Sequence, residues 1–303
     1  MLAGTKGGYG VRVSRRAVLN IYGRLYEYRD RIRHVLTAHE QGAAHAADAT
    51  PVPPEGGVVI ATSGPGATNL VTGIATAYMD SIPMVAITGN VAVELLGRDS
   101  FQEVDITGIT MPVTKHNFAV KRWEESSGDH VRRAFQIAQS GRPGPVLIDV
   151  PKDITASRCQ YERQSPLPLS PLALAGGKPA AKAAEMLRQS KRLFLYAGGG
   201  VIASGAAPEL LRFAETLQAP VCTSLMGLGG FPEDHPLSLG MIGMHGSYAA
   251  GMALDHSDLI VVLGARFSDR VAGDREKFGK QAKILQLDVD LARWIKTYWW
   301  TGT

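Results

Sequence analysis

The feature that most constrains this chain is a repeated alternation of short apolar runs with helix-forming stretches. Gly57-Val58-Val59-Ile60-Ala61 precedes a helical pattern over 68–79, Met84-Val85-Ala86-Ile87-Thr88 follows it, and Val146-Leu147-Ile148-Asp149-Val150 closes the first half. Strand, helix, strand at this spacing predicts a parallel sheet covered by helices. The second half repeats the pattern: a helix over 180–190, the strand Leu193-Phe194-Leu195-Tyr196, a helix over 207–217, and strands Pro220-Val221-Cys222-Thr223 and Leu259-Ile260-Val261-Val262-Leu263. Ser165-Pro166-Leu167-Pro168-Leu169-Ser170-Pro171 lacks any periodicity and reads as an extended linker. The expected fold is α/β, with two doubly wound parallel-sheet domains over 1–160 and 177–303 and a Pro-rich linker over 161–176.

Composition narrows the class. At 303 residues, with 45% hydrophobic and 20% charged side chains, the balance is that of a packed globular protein. The net charge of +4 comes from scattered Lys and Arg, so no nucleic acid partner is expected. Cys159 and Cys222 show neither CxxC nor Cys/His spacing, which argues against a disulfide framework or zinc site and fits a reducing cytoplasm. The beginning lacks the apolar core of a signal peptide, and nowhere do about 18 apolar residues run together, so neither secretion nor a membrane association is expected.

Several strings stand where α/β sheets carry chemistry. His39-Glu40-Gln41-Gly42-Ala43-Ala44 sets one carboxylate between the short strand Ile32-Arg33-His34-Val35-Leu36 and a small-residue helix, where it would be partly buried. Its bland reading is a helix-capping glutamate. Ser63-Gly64-Pro65-Gly66-Ala67-Thr68-Asn69 would let a ligand approach the backbone closely, but no Gly-Lys-Ser/Thr follows, so it is not a Walker A loop. Tyr196-Ala197-Gly198-Gly199-Gly200, Gly264-Ala265-Arg266-Phe267 and Leu287-Asp288-Val289-Asp290 each end a strand, as at the carboxyl edge of nucleotide-binding sheets. Taken singly, a glycine run also serves helix packing and an Asp after a strand also serves as a cap.

In order, these strings are joined by Asp80-Ser81-Ile82-Pro83-Met84, Phe101-Gln102-Glu103, Thr114-Lys115-His116-Asn117, Ser140-Gly141-Arg142-Pro143-Gly144-Pro145, Val150-Pro151-Lys152-Asp153, Leu225-Met226-Gly227-Leu228-Gly229 and Gly243-Met244-His245-Gly246. With them, about residues 17–292 closely resemble the catalytic large subunit of acetolactate synthase (acetohydroxyacid synthase), a thiamine-diphosphate enzyme family. The resemblance implies condensation of two pyruvates, or of pyruvate and 2-oxobutyrate, to 2-acetolactate or 2-aceto-2-hydroxybutyrate with loss of carbon dioxide, in branched-chain amino-acid biosynthesis.

Residue by residue, it implies that Glu40 contacts the aminopyrimidine of thiamine diphosphate and relays a proton, with Pro65, Asn69 and Gln102 lining that site. Gln102 and Lys152 join Glu40 as catalytic candidates, and Ser81, Phe101 and Lys152 match substrate positions, the Lys152 cation suiting a 2-oxo acid carboxylate. FAD, held structurally, would be contacted by Arg142, Gly198, Gly199, Gly200, Ser224, Leu225, Gly243, Met244, His245, Gly246, Gly264, Arg266, Arg270, Asp288 and Val289, with His245 packing on the flavin. The family's Mg2+ is held by a Gly-Asp-Gly...Asn motif of a third, C-terminal domain. The chain has only Gly273-Asp274-Arg275 as its nearest string, so no metal ligands are expected in it. The family assembles as homodimers or tetramers, in some cases with a small regulatory subunit.

Departures from the family pattern cluster at three places. Val11-Arg12-Val13-Ser14-Arg15-Arg16 stands where the family has Phe-Gly-Tyr-Pro-Gly-Gly, Ala49-Thr50-Pro51-Val52-Pro53-Pro54-Glu55 stands where a helix continues, and the chain ends at Lys296-Thr297-Tyr298-Trp299-Trp300-Thr301-Gly302-Thr303. Each observed string can be encoded by codons that, moved by one nucleotide, encode family-like sequence. A shifted reading frame is therefore the expected origin, and a truncated chain without activity of its own is the expected consequence. Other readings are a thiamine-diphosphate enzyme of the pyruvate oxidase or glyoxylate carboligase type, against which Lys152, Gln102 and the 243–246 string weigh, and a non-catalytic nucleotide-binding remnant.

Overall fold

A computed structural model describes residues 9–12, 16–49, 56–122, 129–158, 162–169, 177–274 and 277–290. The departures over 50–55 and 296–303 lie outside the described residues, as do 13–15. The chain divides into two compact units, Met1–Pro171 and Leu172–Thr303.

The first unit carries β1 (Tyr9–Arg12), α1 (Leu19–Glu27), β2 (Arg33–Leu36), α2 (Glu40–Asp48), β3 (Gly57–Ala61), α3 (Pro65–Thr68), α4 (Val71–Asp80), β4 (Met84–Asn90), α5 (Ile106–Thr110), β5 (His116–Ala119), α6 (Asp129–Gln139), β6 (Pro145–Pro151) and α7 (Lys152–Ala156). Its six strands run in the order β2-β1-β3-β4-β6-β5, and every pairing is parallel. The order reverses between β1 and β3, and at such a reversal the crossovers leave on opposite faces and open a crevice at the carboxyl edge.

Central strands β3, β4 and β6 are buried along nearly their whole length and mostly apolar because both faces are covered. Val59, Ala61, Met84, Ala86 and Leu147 pack with Ala43, Ala44, Leu70, Ile74 and Ile106 on one side. Val58, Ile60, Val85, Ile87 and Ile148 pack with Val18, Tyr22, Ala134 and Ile154 on the other. The alanines of α2 permit unusually close approach: a Cβ on Gly73 of α4 would stand 2.4 Å from Ala44 Cβ, and one on Gly57 2.1 Å from the Ala47 carbonyl. Residues 162–169 form neither helix nor strand and lie along α6, where Gln136 donates to the Pro168 carbonyl at 2.7 Å.

The second unit carries α8 (Lys178–Gln189), β7 (Leu193–Ala197), α9 (Gly199–Ala203), α10 (Ala207–Leu217), β8 (Val221–Thr223), β9 (Ser238–Met241), α11 (Tyr248–His256), β10 (Leu259–Leu263), α12 (Asp269–Ala272) and β11 (Lys283–Leu287). Its five-stranded parallel sheet runs β11-β10-β7-β8-β9, with the reversal between β7 and β10. Two apolar layers again cover its faces, one built on Phe194, Tyr196, Ile260 and Val262, the other on Leu195, Val221, Leu259 and Val261. Both units therefore have the doubly wound parallel architecture expected from the sequence. Among the described residues no helix is long and apolar enough to cross a membrane.

Candidate functional site

In the first unit the carboxyl edge of the sheet gathers most of the sequence-predicted residues. β2 leads through Thr37, whose hydroxyl donates to the His39 carbonyl at 2.9 Å, to His39, the extended N-cap of α2. His39 Nδ1 accepts from the Gln41 amide at 3.1 Å, so the helix is capped by an imidazole and Glu40 becomes its first residue. A carboxylate there is favoured by the unpaired amides of the first turn. Glu40 is only 9% exposed, and Asn69 Nδ2 donates to its Oε2 at 3.1 Å.

Asn69 reaches Glu40 because the turn after β3 folds back. Gly64 has φ +59°, Pro65 opens α3, and Asn69 follows that helix. A Cβ on Gly66 would lie 2.7 Å from Thr62 Cγ2 and 3.4 Å from Glu40 Oε1, so a glycine is needed for the turn to pack on Thr62 beside the carboxylate. A Cβ on Gly64 would lie 2.7 Å from the Gln102 carbonyl and 2.9 Å from Gln102 Cβ. The loop after β4 thus packs directly on the 63–66 turn. Gln102 itself has φ +59°, a conformation costing a non-glycine residue about 1–2 kcal/mol, and such strain concentrates at functional sites. Glu40, Pro65, Asn69 and Gln102, which the resemblance places together, lie at one cluster. Phe101, beside Gln102, is 87% exposed, and Lys152 is exposed at the start of α7, on the same edge of the sheet.

Ser81 and Arg142 do not join this cluster. Ser81 ends α4 in the left-handed conformation, and Arg142 Nε donates to its hydroxyl at 2.7 Å, while Arg142 Nη2 reaches the Tyr78 carbonyl at 3.2 Å. Asn69 stands at the opposite end of that ten-residue helix, about 15 Å away along its axis. Arg142 belongs to the first unit, whereas the other residues read as FAD contacts lie in the second.

Sequence reading missed the groups that brace the edge. Asp149 of β6 is buried; it accepts from Thr88 Oγ1 at 2.7 Å and from Asn90 Nδ2 at 2.6 Å, tying the ends of β4 and β6. Burial pushes its carboxyl above the ordinary aspartate range, and the two hydrogen bonds partly oppose that. Lys115 donates to the Ile137 and Ser140 carbonyls at the end of α6. Glu103 accepts from the Gly97 and Ser100 amides in the loop that carries Gln102. Apolar runs interrupted by Thr88 and Asp149 at matching strand positions, with Asn90 two residues on, were the available signal for the first of these.

In the second unit every strand end carries residues read as FAD contacts. Gly198 follows β7 and its amide donates to the Leu263 carbonyl at 2.9 Å, while the Gly200 amide donates to Gly264 at 3.0 Å. A Cβ on Gly198 would meet the Gly264 carbonyl at 2.4 Å, and one on Gly200 the Gly264 Cα at 2.7 Å. These two glycines serve backbone contact between the ends of β7 and β10, and Gly199 packs on Met226. Ser224 follows β8, its amide donating to Ala197 at 2.9 Å. After β9, Gly243 has φ +106°, Met244 donates from its amide to the Arg270 carbonyl at 2.7 Å, and Gly246 closes on the Gly243 carbonyl at 2.8 Å. The Arg266 carbonyl accepts from Tyr196 at 3.1 Å, and burial pushes that phenol up to about 12. Leu225, Met244 and Val289 are 69, 63 and 49% exposed, an apolar rim beside the arginines 266 and 270, with His245 exposed and Asp288 half-buried. Such an edge can hold a dinucleotide, with planar rings on the apolar rim and cations toward the phosphates.

Comparison with known proteins agrees with both units. Residues 11–109 match the N-terminal TPP binding domain of thiamine pyrophosphate enzymes and residues 180–300 match the central domain of the same enzymes. The chain is 52% identical over 285 residues to a probable acetolactate synthase large subunit of Methanocaldococcus jannaschii, covering 91% of this chain and 47% of that protein. It is 49% identical over 280 residues to the acetolactate synthase large subunit of Corynebacterium glutamicum (91% and 44%) and 46% identical over 287 residues to that of Buchnera aphidicola (93% and 50%). The chain spans about half the length of the curated relatives it matches.

Proposed function

Because this chain belongs to the thiamine pyrophosphate enzyme family, in the line of the acetolactate synthase large subunits, we propose that it supplies the proton-relay half of an acetolactate synthase site. The reaction would join two pyruvates, or pyruvate and 2-oxobutyrate, with release of one carbon dioxide. The observation that carries this reading is the buried Glu40 carboxylate, held by Asn69 beside the 63–66 turn.

The residues of the first unit suit thiamine diphosphate: a cradle of backbone at Gly64 and Gly66, a fixed carboxylate, and Gln102 docked beside them. When bound, that cofactor supplies a nucleophilic carbon and a sink for the electron pair released by decarboxylation. Glu40 would hold and return a proton at Oε1 or Oε2 while Asn69 fixes its rotamer. Gln102 and Phe101 would bound the substrate, and Lys152 would pair with the 2-oxo acid carboxylate. Ser81 and Arg142, at the far end of α4, would serve a neighbouring copy in a homodimer or tetramer.

FAD is proposed for the carboxyl edge of the second unit, where the apolar rim and Arg266 and Arg270 suit a flavin dinucleotide. For the Mg2+ that the family implies, no group of three or more His, Cys, Asp or Glu that could hold a metal stands among the described residues, and no step is assigned to it here. Calorimetric titration with thiamine diphosphate, followed by pyruvate and assay of acetolactate, tests the reading. The expected result is saturable binding and a yellow protein that releases FAD on denaturation, with acetolactate formed once a large subunit inactivated at its own relay glutamate supplies the rest of the site. Acetate formation would instead indicate an oxidase of the same family, and absence of thiamine diphosphate binding would overturn the assignment.

A further inference from the structure

Gln102 sits in a left-handed backbone conformation that strongly favours glycine, and the surrounding loop shows what holds it there. The Glu103 amide donates to the Ser100 carbonyl at 2.9 Å, closing a turn whose two central residues are Phe101 and Gln102. The Glu103 side chain then braces the turn from outside: one carboxylate oxygen accepts from the Gly97 amide, the other from the Ser100 amide at 3.0 Å. Ser100 Oγ donates to the Leu95 carbonyl at 2.9 Å, completing the ring of contacts. On its inner side the turn presses the Gln102 backbone against Gly64, itself at φ +59°. A strained residue persists only where its surroundings over-determine it.

We propose that Glu103 is a positioning residue, whose carboxylate locks the 97–103 loop so that Gln102 is held in its left-handed conformation against the 63–66 turn. The inference rests on the reading of Gln102 as part of the thiamine diphosphate site. Glutamine at 103 keeps one acceptor but presents an amide donor to the second N–H, so Glu103→Gln opens half of the clamp, and Glu103→Ala opens all of it.

Hydrogen exchange of the 97–103 peptide in the intact chain reads the clamp directly. About tenfold faster exchange is expected in Glu103→Gln and more in Glu103→Ala, with the thermal midpoint of each close to the parent, because the group is not part of the core. In turnover of pyruvate by this chain complemented with a large subunit inactivated at its own relay glutamate, Glu103→Ala should lower kcat about 10- to 100-fold with little change in KM. In a Gln102→Ala background, the same substitution should have little further effect. Unchanged exchange in both variants, or a Glu103→Ala loss that persists in full beside Gln102→Ala, overturns the proposal. Gln102→Ala with unaltered turnover would instead remove the reading on which it rests.

Discussion

The Asn69 side-chain amide donates to Glu40 Oε2 at 3.1 Å, across 29 positions of sequence, because the turn after β3 and the start of α2 meet at one edge of the first sheet. That contact makes the carboxylate a fixed group and gives its neighbours measurable roles.

Glu40→Gln keeps the shape and an acceptor for Asn69 but removes the ionisable group. Thiamine-diphosphate-dependent turnover of pyruvate in the same complemented assay should fall about 10²- to 10⁴-fold, the range expected for loss of a positioned acid–base group, with little change in thermal midpoint. Steady-state assay beside a melting curve separates the two effects, and full activity in this variant would end the proton-relay assignment.

Gly64→Ala places a Cβ 2.7 Å from the Gln102 carbonyl at a backbone φ of +59°. Overpacking of this kind costs about 1–3 kcal/mol and the left-handed conformation about 1–2 more. Denaturant titration should register the loss in the first unit, while Gly141→Ala, at φ +55° with open space around it, should show the conformational part alone.

Asp149 offers a pH test. Asn90 Oδ1 accepts from the Val91 amide at 2.8 Å, so its Nδ2 faces Asp149, and Asp149→Asn can keep both ties with its oxygen toward Asn90 and its amide donating to Thr88 Oγ1, while the ionisable group is lost. The native carboxyl is raised by burial above its unfolded value, so the folded chain binds the extra proton. Its contribution is fully present below about pH 4 and is lost as pH rises through the native value. Stability curves of parent and variant should therefore diverge in slope from about pH 4 upward; parallel curves would contradict the assignment.

Cys222 is completely buried in the second unit, and burial pushes its thiol up to about 12. In a Cys159→Ser background, an aromatic disulfide reagent at pH 8 should leave the folded protein unmodified and react once denaturant unfolds it. Rapid labelling without denaturant would mean that β8 is not packed as described.

Much of this architecture was legible because the central strands are apolar on both faces. The runs over 57–61, 84–88 and 259–263 became β3, β4 and β10 with small shifts of boundary, and the helix over 207–217 has those bounds. Strands such as β1 and β5 carried no comparable signal: Tyr9–Arg12 mixes glycine with arginine, and His116–Ala119 lies at a sheet edge with one buried residue. The Glu40 cluster could be named from motif strings because, taken in order, they resemble those of a known family. Which end of α4 holds Ser81, and that Arg142 is spent on it, depends on the reach of a helix and on the turn that follows. Glu103 was visible in the string with Gln102, yet its role arises only when a loop closes on itself.

The glycine contacts between the ends of β7 and β10 set a spacing. With Gly198 and Gly200 both in direct backbone contact with Gly264, the approach of β7 to β10 at the edge of the second unit's sheet is set by backbone. A ligand there would meet an edge whose spacing is settled by peptide planes before it arrives, so little binding energy would go into shaping it and selectivity would fall to the rim residues Leu225, Met244 and Val289.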